Sequence, residues 1–127
     1  ELWRKHKCAE VINGDKAGVS VENGKVYAHG LPFCGTSGIC KNRTLPLKAI
    51  VLLGQAPENK IRRVKGVEVI QSLLHNIYLD FLAPGETQEC VDVLIELLNT
   101  VPVYRLDCTP DERAVETLAF ELGVRSE

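Results

Sequence analysis

Hydrophobic and polar positions alternate in the first part of the chain and take up helical spacing in the second. Lys16 to Glu22 alternates, with β-branched Val19 and Val21, and Lys25 to His29 returns in the same manner. Asn23-Gly24 stands between them and accepts the positive φ angles of a tight hairpin turn. The pattern therefore predicts an antiparallel hairpin. Ala9 to Asn13 and Leu47 to Leu53 are short apolar runs and predict buried strands, and Ile61 to Val64 predicts a short exposed one. Gly66 to Tyr78 carries Val67, Val69, Ile70, Leu73, Leu74, Ile77 and Tyr78 at helical spacing. Ala83-Pro84-Gly85 predicts a break. Thr87 to Thr100 predicts a second amphipathic helix, with Cys90, Val91, Leu94, Ile95, Leu97 and Leu98 inward. Val103 to Cys108 predicts a strand. Thr109 as N-cap and Pro110 at the first helical position predict a last helix ending near Leu122, before Gly123.

Glu1 to Lys7 reads as the last turns of a helix, with Leu2 and Trp3 inward and basic residues at its C-terminal end. A preceding segment is expected from this. The fold class is α/β in a single domain over residues 1–127: a mixed sheet with an N-terminal antiparallel hairpin, flanked by three C-terminal helices.

Composition narrows the classes. Apolar residues make up 45% and charged residues 25% of 127, as in an ordinary globular domain. A formal net charge of −2 provides no overall basic field, so no nucleic-acid partner is expected. No apolar run approaches the roughly 20 residues of a membrane span, so no membrane partner is expected. The charged start does not read as a signal peptide. The five cysteines (Cys8, Cys34, Cys40, Cys90 and Cys108) do not match a small disulfide scaffold, and reduced thiols in a cytoplasm are the expectation. Cys34 and Cys40 lack a second close pair that would complete a zinc site.

Three places hold candidate chemistry. Asp15 lies in Asn13-Gly14-Asp15, where an acid at a strand end could meet a metal-bound nucleotide; turn chemistry alone also accounts for these residues. Gly30 to Asn42 is a glycine-rich loop containing Gly30, Pro32, Gly35 and Gly38, and its Thr36 and Ser37 hydroxyls suit phosphate oxygens. It is not a P-loop, because no Lys-Ser or Lys-Thr follows its glycines, and Lys41 does not fill that role. Cys34, with His29 near in sequence, reads as a buried inert thiol rather than a nucleophile. Lys41, Arg43, Lys48, Lys60, Arg62, Arg63 and Lys65 form a cationic group, in which Arg62 and Arg63 suit a phosphate or carboxylate. On a strand only one of these two arginines faces a given ligand. An ordinary solvated surface explains the same charges.

Read in order, Glu-Leu-Trp-Arg (1–4), Ala-Glu-Val-Ile-Asn-Gly-Asp-Lys (9–16), Tyr-Ala-His-Gly-Leu-Pro-Phe-Cys-Gly (27–35), Leu-Pro-Leu-Lys-Ala-Ile-Val-Leu-Leu (45–53), Pro-Glu-Asn-Lys-Ile-Arg-Arg (57–63) and Val-Pro-Val-Tyr-Arg-Leu (101–106) resemble the HPr kinase-like proteins, relatives of ATP-dependent phosphoenolpyruvate carboxykinase. The resemblance covers nearly the whole chain. It implies the part of a P-loop kinase domain that follows the loop. It implies Asp15 as the second of an acid pair and the Mg2+ ligand, with Gly14 where many members have the first acid. It also implies that the segment Gly30 to Gly35 lines the active site.

The expected function is then the C-terminal portion of an ATP- and Mg2+-dependent phosphotransferase acting on a hydroxyl of a protein or peptide. Asp15, Arg62 and Arg63 are its candidate catalytic residues. Gly30, Pro32, Gly35, Thr36 and Lys41 are its candidate nucleotide-binding residues. Without the P-loop, ATP and Mg2+ are not expected to bind this chain tightly. A non-catalytic protein- or peptide-binding module is the alternative. A carboxykinase-type enzyme holding a carboxylate on Arg62 or Arg63 is the third. An exposed sheet edge is expected to invite a homodimer.

Overall fold

The computed structural model describes residues 1–76 and 84–124. Helix α1 (Leu2–Lys7) opens the chain. Strands β1 (Ala17–Glu22) and β2 (Lys25–Gly30) follow as the expected hairpin, in register from Ala17↔Gly30 to Glu22↔Lys25. Asn23 and Gly24 turn it with φ of 52° and 73°, as a two-residue hairpin turn requires. A third strand, β3 (Thr44–Pro46), pairs with β2 through Tyr27↔Pro46, Ala28↔Leu45 and His29↔Thr44.

Strands β4 (Ile50–Gln55), β5 (Lys60–Val64) and β6 (Val103–Cys108) form a separate sheet in the order β4-β6-β5. In it β4 is parallel and β5 antiparallel to the central β6. The expectation of one mixed sheet is thereby corrected: the chain builds an antiparallel three-stranded sheet and a second, mixed one. Helices α2 (Val67–Leu74), α3 (Pro84–Thr100) and α4 (Glu112–Glu121) complete the described elements.

Apolar burial is concentrated on the second sheet. Val64 and Val103 pack with Val69 and Leu73 of α2. Val26, the buried residue of the first sheet, joins Leu97 and Val101 at the end of α3, so α3 is the joint between the two sheets. Leu106 is 2% exposed at the centre of β6, and Ala114, Val115, Leu118 and Ala119 are buried on α4. None of the helices among the described residues is long and apolar enough to cross a membrane.

Several expected details change. Ala9 to Asn13 is not a strand; its pairing reduces to the single bridge Asn13↔Cys40. Helix α3 already includes Pro84 to Glu86, ahead of the expected Thr87, and a proline is tolerated in a first helical turn because it needs no N–H partner there. Val91 and Ile95, expected inward, are 39% and 53% exposed, while Leu97 is buried. On α2, Val67 and Ile70 face outward, and the helix ends at Leu74 with His75 as its C-cap, short of the expected Tyr78; residues 77 and 78 lie outside the described residues.

Asp111, not Thr109, is the N-cap of α4, its side chain accepting from the Arg113 N–H. The Arg113 hydrogen bond holds the Asp111 carboxyl down at about 2. Gly123 closes the helix at φ 66°, with Gly123 N–H donating to the Phe120 carbonyl and Val124 N–H to the Ala119 carbonyl. Helix α1 meets α4 through Lys7 and Glu116 at 2.9 Å and His6 and Glu112 at 3.2 Å.

Candidate functional site

The candidate site is a bend and a loop laid on it. The bend is Ile12 to Asp15. Lys41 N–H donates to the Ile12 carbonyl at 2.8 Å, and Gly14 N–H to the Ile39 carbonyl at 3.0 Å, so the bend is stitched to the end of the loop. Asn13 organises it from the side chain. Its amide donates to the Leu31 carbonyl at 2.8 Å, and its oxygen accepts the Asp15 N–H at 2.8 Å. This is the local capping that lets Asn shape turns.

The loop packs on the bend through two glycines. A Cβ built on Gly35 would lie 2.8 Å from the Asp15 Cβ, and a Cβ on Gly14 would overlap Ser37. Gly35 also has φ 57°, in the left-handed region. Gly35–Ser37 forms a 3-10 turn. Inside it, the Ser37 hydroxyl donates to the Cys34 carbonyl at 2.9 Å and accepts the Ile39 N–H at 3.2 Å. That hydroxyl shapes the loop. Cys34 and Cys40 are joined as a disulfide with their Cα atoms 4.9 Å apart. The expectation of five reduced thiols, with Cys34 buried and inert, is corrected at this pair. Cys8, Cys90 and Cys108 are free.

Asp15 is exposed, and among the described residues its carboxylate makes no hydrogen bond or ion pair. Gly35 lies against it, and Pro32 and Thr36 are exposed in the same loop. Gly30 has another part. Its N–H donates to the Arg43 carbonyl at 2.9 Å, and the space of its missing side chain is filled by the Lys41 carbonyl oxygen. Its close approach is to the chain's own backbone. The Lys41 amine is 2.6 Å from Glu10, which Arg43 also engages. The Lys41 hydrogen bond, with Arg43 beside it, holds the Glu10 carboxyl below the usual carboxylate range.

Arg62 and Arg63 lie on β5, in the other sheet. Arg62 is in register with Arg105 and makes two hydrogen bonds to Glu68, at 3.1 and 2.5 Å. That pairing raises the Arg62 guanidinium pKa and lowers that of Glu68. Arg63 is in register with Tyr104 and points to the opposite face. The structure thus sets Gly35 against Asp15, leaves Pro32 and Thr36 exposed in the same loop, ties Lys41 to Glu10 near the end of that loop, and holds Arg62 and Arg63 on a separate sheet.

Asn13, Glu10 and the disulfide are the parts that sequence reasoning missed. Asn13-Gly14 carried a turn signal, and the two cysteines flank one glycine-rich loop. Nothing in the pattern around Glu10 marks it as the anion that gathers two cations. His29, considered as a base for Cys34, instead bridges the sheet, its ring nitrogens 2.6 Å from the Ser20 hydroxyl and 2.8 Å from the Thr44 hydroxyl. No family model, curated protein or solved structure matches this chain.

Proposed function

We propose that this chain is the C-terminal portion of an ATP- and magnesium-dependent, HPr kinase-like phosphotransferase that acts on a hydroxyl of a protein or peptide, within a partial P-loop kinase domain. One observation carries the reading. Asp15 is an exposed carboxylate at a bend, without a hydrogen-bond or ion-pair partner among the described residues, and Gly35 of the glycine-rich loop lies directly against it.

The residues present fit one part of a magnesium site. Magnesium commonly takes one or two carboxylates and completes its shell with phosphate oxygens and water. Asp15 supplies such a carboxylate. Among the described residues no group of three or more His, Cys, Asp or Glu encloses a metal by itself. Asp15 would hold such an ion, which would supply positive charge against the phosphate being transferred. Asn13 holds the Asp15 backbone in place through its side-chain oxygen. The exposed Thr36 hydroxyl, next to Gly35, is a donor for a phosphate oxygen.

The test uses the coding sequence ahead of Glu1 together with this chain. A glycine-rich loop ending in Lys-Ser or Lys-Thr is expected there. The joined protein is expected to phosphorylate a serine peptide from Mg-ATP. Asp15→Asn should lower that rate about 100-fold, the scale of losing one preorganised electrostatic group, with an unchanged melting temperature. Near-wild-type turnover in the variant would remove Asp15 from the reading.

A second reading is favoured by β4. It is an edge strand of its sheet, it carries no charged residue, and its Leu53 is 71% exposed. Such an edge can accept an added strand from a peptide or a second copy. A non-catalytic binding module would use it. Loss of peptide binding or of dimer in Leu53→Lys, with phosphotransfer absent throughout, would favour the module.

A further inference from the structure

We propose that the Cys34–Cys40 disulfide is a redox latch that holds the glycine-rich loop against Asp15. Its control of metal-phosphate docking at Asp15 rests on the function proposed above. Its control of the loop does not.

The position of the bond carries the argument. Cys34 is the residue that opens the 3-10 turn, and the next residue, Gly35, is the one packed on Asp15. Cys40 is the bridge partner of Asn13, whose side chain accepts the Asp15 N–H. The disulfide therefore joins the two ends of the segment whose Gly35 packs on Asp15. Its backbone ties to the bend, the Gly14 N–H to Ile39 carbonyl bond and the Asn13↔Cys40 bridge, lie at its Cys40 end. Gly35, Thr36, Ser37 and Gly38 are exposed, and Ser37 bonds only within the loop. No residue from Cys34 to Cys40 is buried, so apolar burial does not replace the bond once it is broken. Cys34 and Cys40 are themselves half-exposed and within reach of a reductant.

The chemistry is thiol–disulfide exchange with a dithiol reductant. One thiolate of the reductant attacks a sulfur of the pair, the S–S bond breaks, and a mixed disulfide forms. The second thiol of the reductant displaces the protein sulfur and leaves as a cyclic disulfide. Two electrons pass to Cys34 and Cys40, and two protons complete their thiols. Exposed disulfides are the readily reduced class, and in thiol-buffered compartments disulfides serve mainly transient, sensing roles.

The experiment compares the air-oxidised chain, the same chain after dithiothreitol, and the double variant Cys34→Ser/Cys40→Ser. Thiol titration is expected to find Cys34 and Cys40 blocked before reduction and reactive after it; both reactive in the air-oxidised chain would overturn the latch. Amide hydrogen exchange at residues 13–15 and 35–41 is expected to quicken about tenfold on reduction and in the variant, with β4, β5 and β6 unchanged. Unchanged exchange in that segment would overturn it too, and the chemically reduced wild type answers this even where the variant folds poorly. Mn2+, used as the probe, is expected to broaden the Asp15 amide resonance about tenfold more weakly after reduction. Equal broadening in both states would show that the latch does not govern the site. Absence of broadening in the oxidised chain would overturn the metal reading of Asp15, while the exchange data still decide the latch.

Discussion

The two sheets of this protein are held by different forces. The β4-β6-β5 sheet is held by apolar burial: Val64, Val103 and Leu106 are each 2–3% exposed, and Val64 and Val103 pack with Val69 and Leu73 of α2 and with Leu94 and Leu98 of α3. The β1-β2-β3 sheet buries Val26 alone among its strand residues, and β3 is exposed along its whole length. The loop beside it is fixed by backbone hydrogen bonds, glycine contacts and one covalent bond. Closing so short a loop constrains the unfolded chain by about 2 kcal/mol in the chain-entropy account. The candidate chemistry lies on the lightly buried side. A region with little apolar burial opens at low free-energy cost, and ligand-binding segments are commonly drawn from such regions.

The largest effect should come from the buried sheet. Leu106→Ala is expected to lower unfolding free energy by about 3 kcal/mol, as removal of a fully buried leucine side chain does. Val19→Ala, at a position 40% exposed on β1, should change it by less than about 0.5 kcal/mol. Equal losses in urea unfolding would erase the contrast between the sheets.

Next come paired glycine substitutions. In Gly30→Ala the new methyl meets the Lys41 backbone carbonyl, which cannot step aside, and a loss of about 2 kcal/mol is expected. In Gly54→Ala it meets only the ends of the Asp107 and Arg105 side chains, which can move, so the cost should stay below about 1 kcal/mol. A larger loss at Gly54 would show that the Arg105–Asp107 pair, at 2.9 Å, is as rigid as the loop backbone.

The smallest effect is the pH response of a helix cap. The Asp111 carboxyl is held at about 2, below its unfolded value near ~3.9, so the cap's stabilisation is complete above the unfolded value and is lost as pH falls through about 2. Amide exchange at Arg113 and Ala114 should therefore quicken between pH 4 and about 2. Asp111→Asn keeps an N-cap oxygen and should flatten that dependence. A dependence unchanged in the variant would assign it to another carboxylate, such as Glu10 in the other layer, whose pKa is also lowered.

The elements with strong local signals were legible in the sequence. Asn23-Gly24 set the hairpin and its register, Val103 to Cys108 read as a strand, and Gly123 marked the end of α4. Asp15 was legible as a carboxylate at a turn, but the strand expected ahead of it is absent and its contact with the glycine-rich loop came only from the fold. These signals are local, because φ preference and side-chain period belong to neighbouring residues. Strand β3 carried no such signal, since three exposed residues show no period and become a strand only by pairing with Tyr27, Ala28 and His29. The outward turn of Val91 and Ile95 also escaped, because a helix rich in apolar residues does not itself choose which stripe meets the sheet.

By itself, then, the amino-acid order determined where the chain turns, where it coils and which polar groups could serve chemistry. The tertiary structure alone decided that the strands divide into two sheets, that Cys34 meets Cys40, that Lys41 is drawn to Glu10, and that Arg62 stands apart from Asp15. Those outcomes join residues distant along the chain or facing away from their neighbours. Their energies come from pairings in space that exist only after the segments between them have folded.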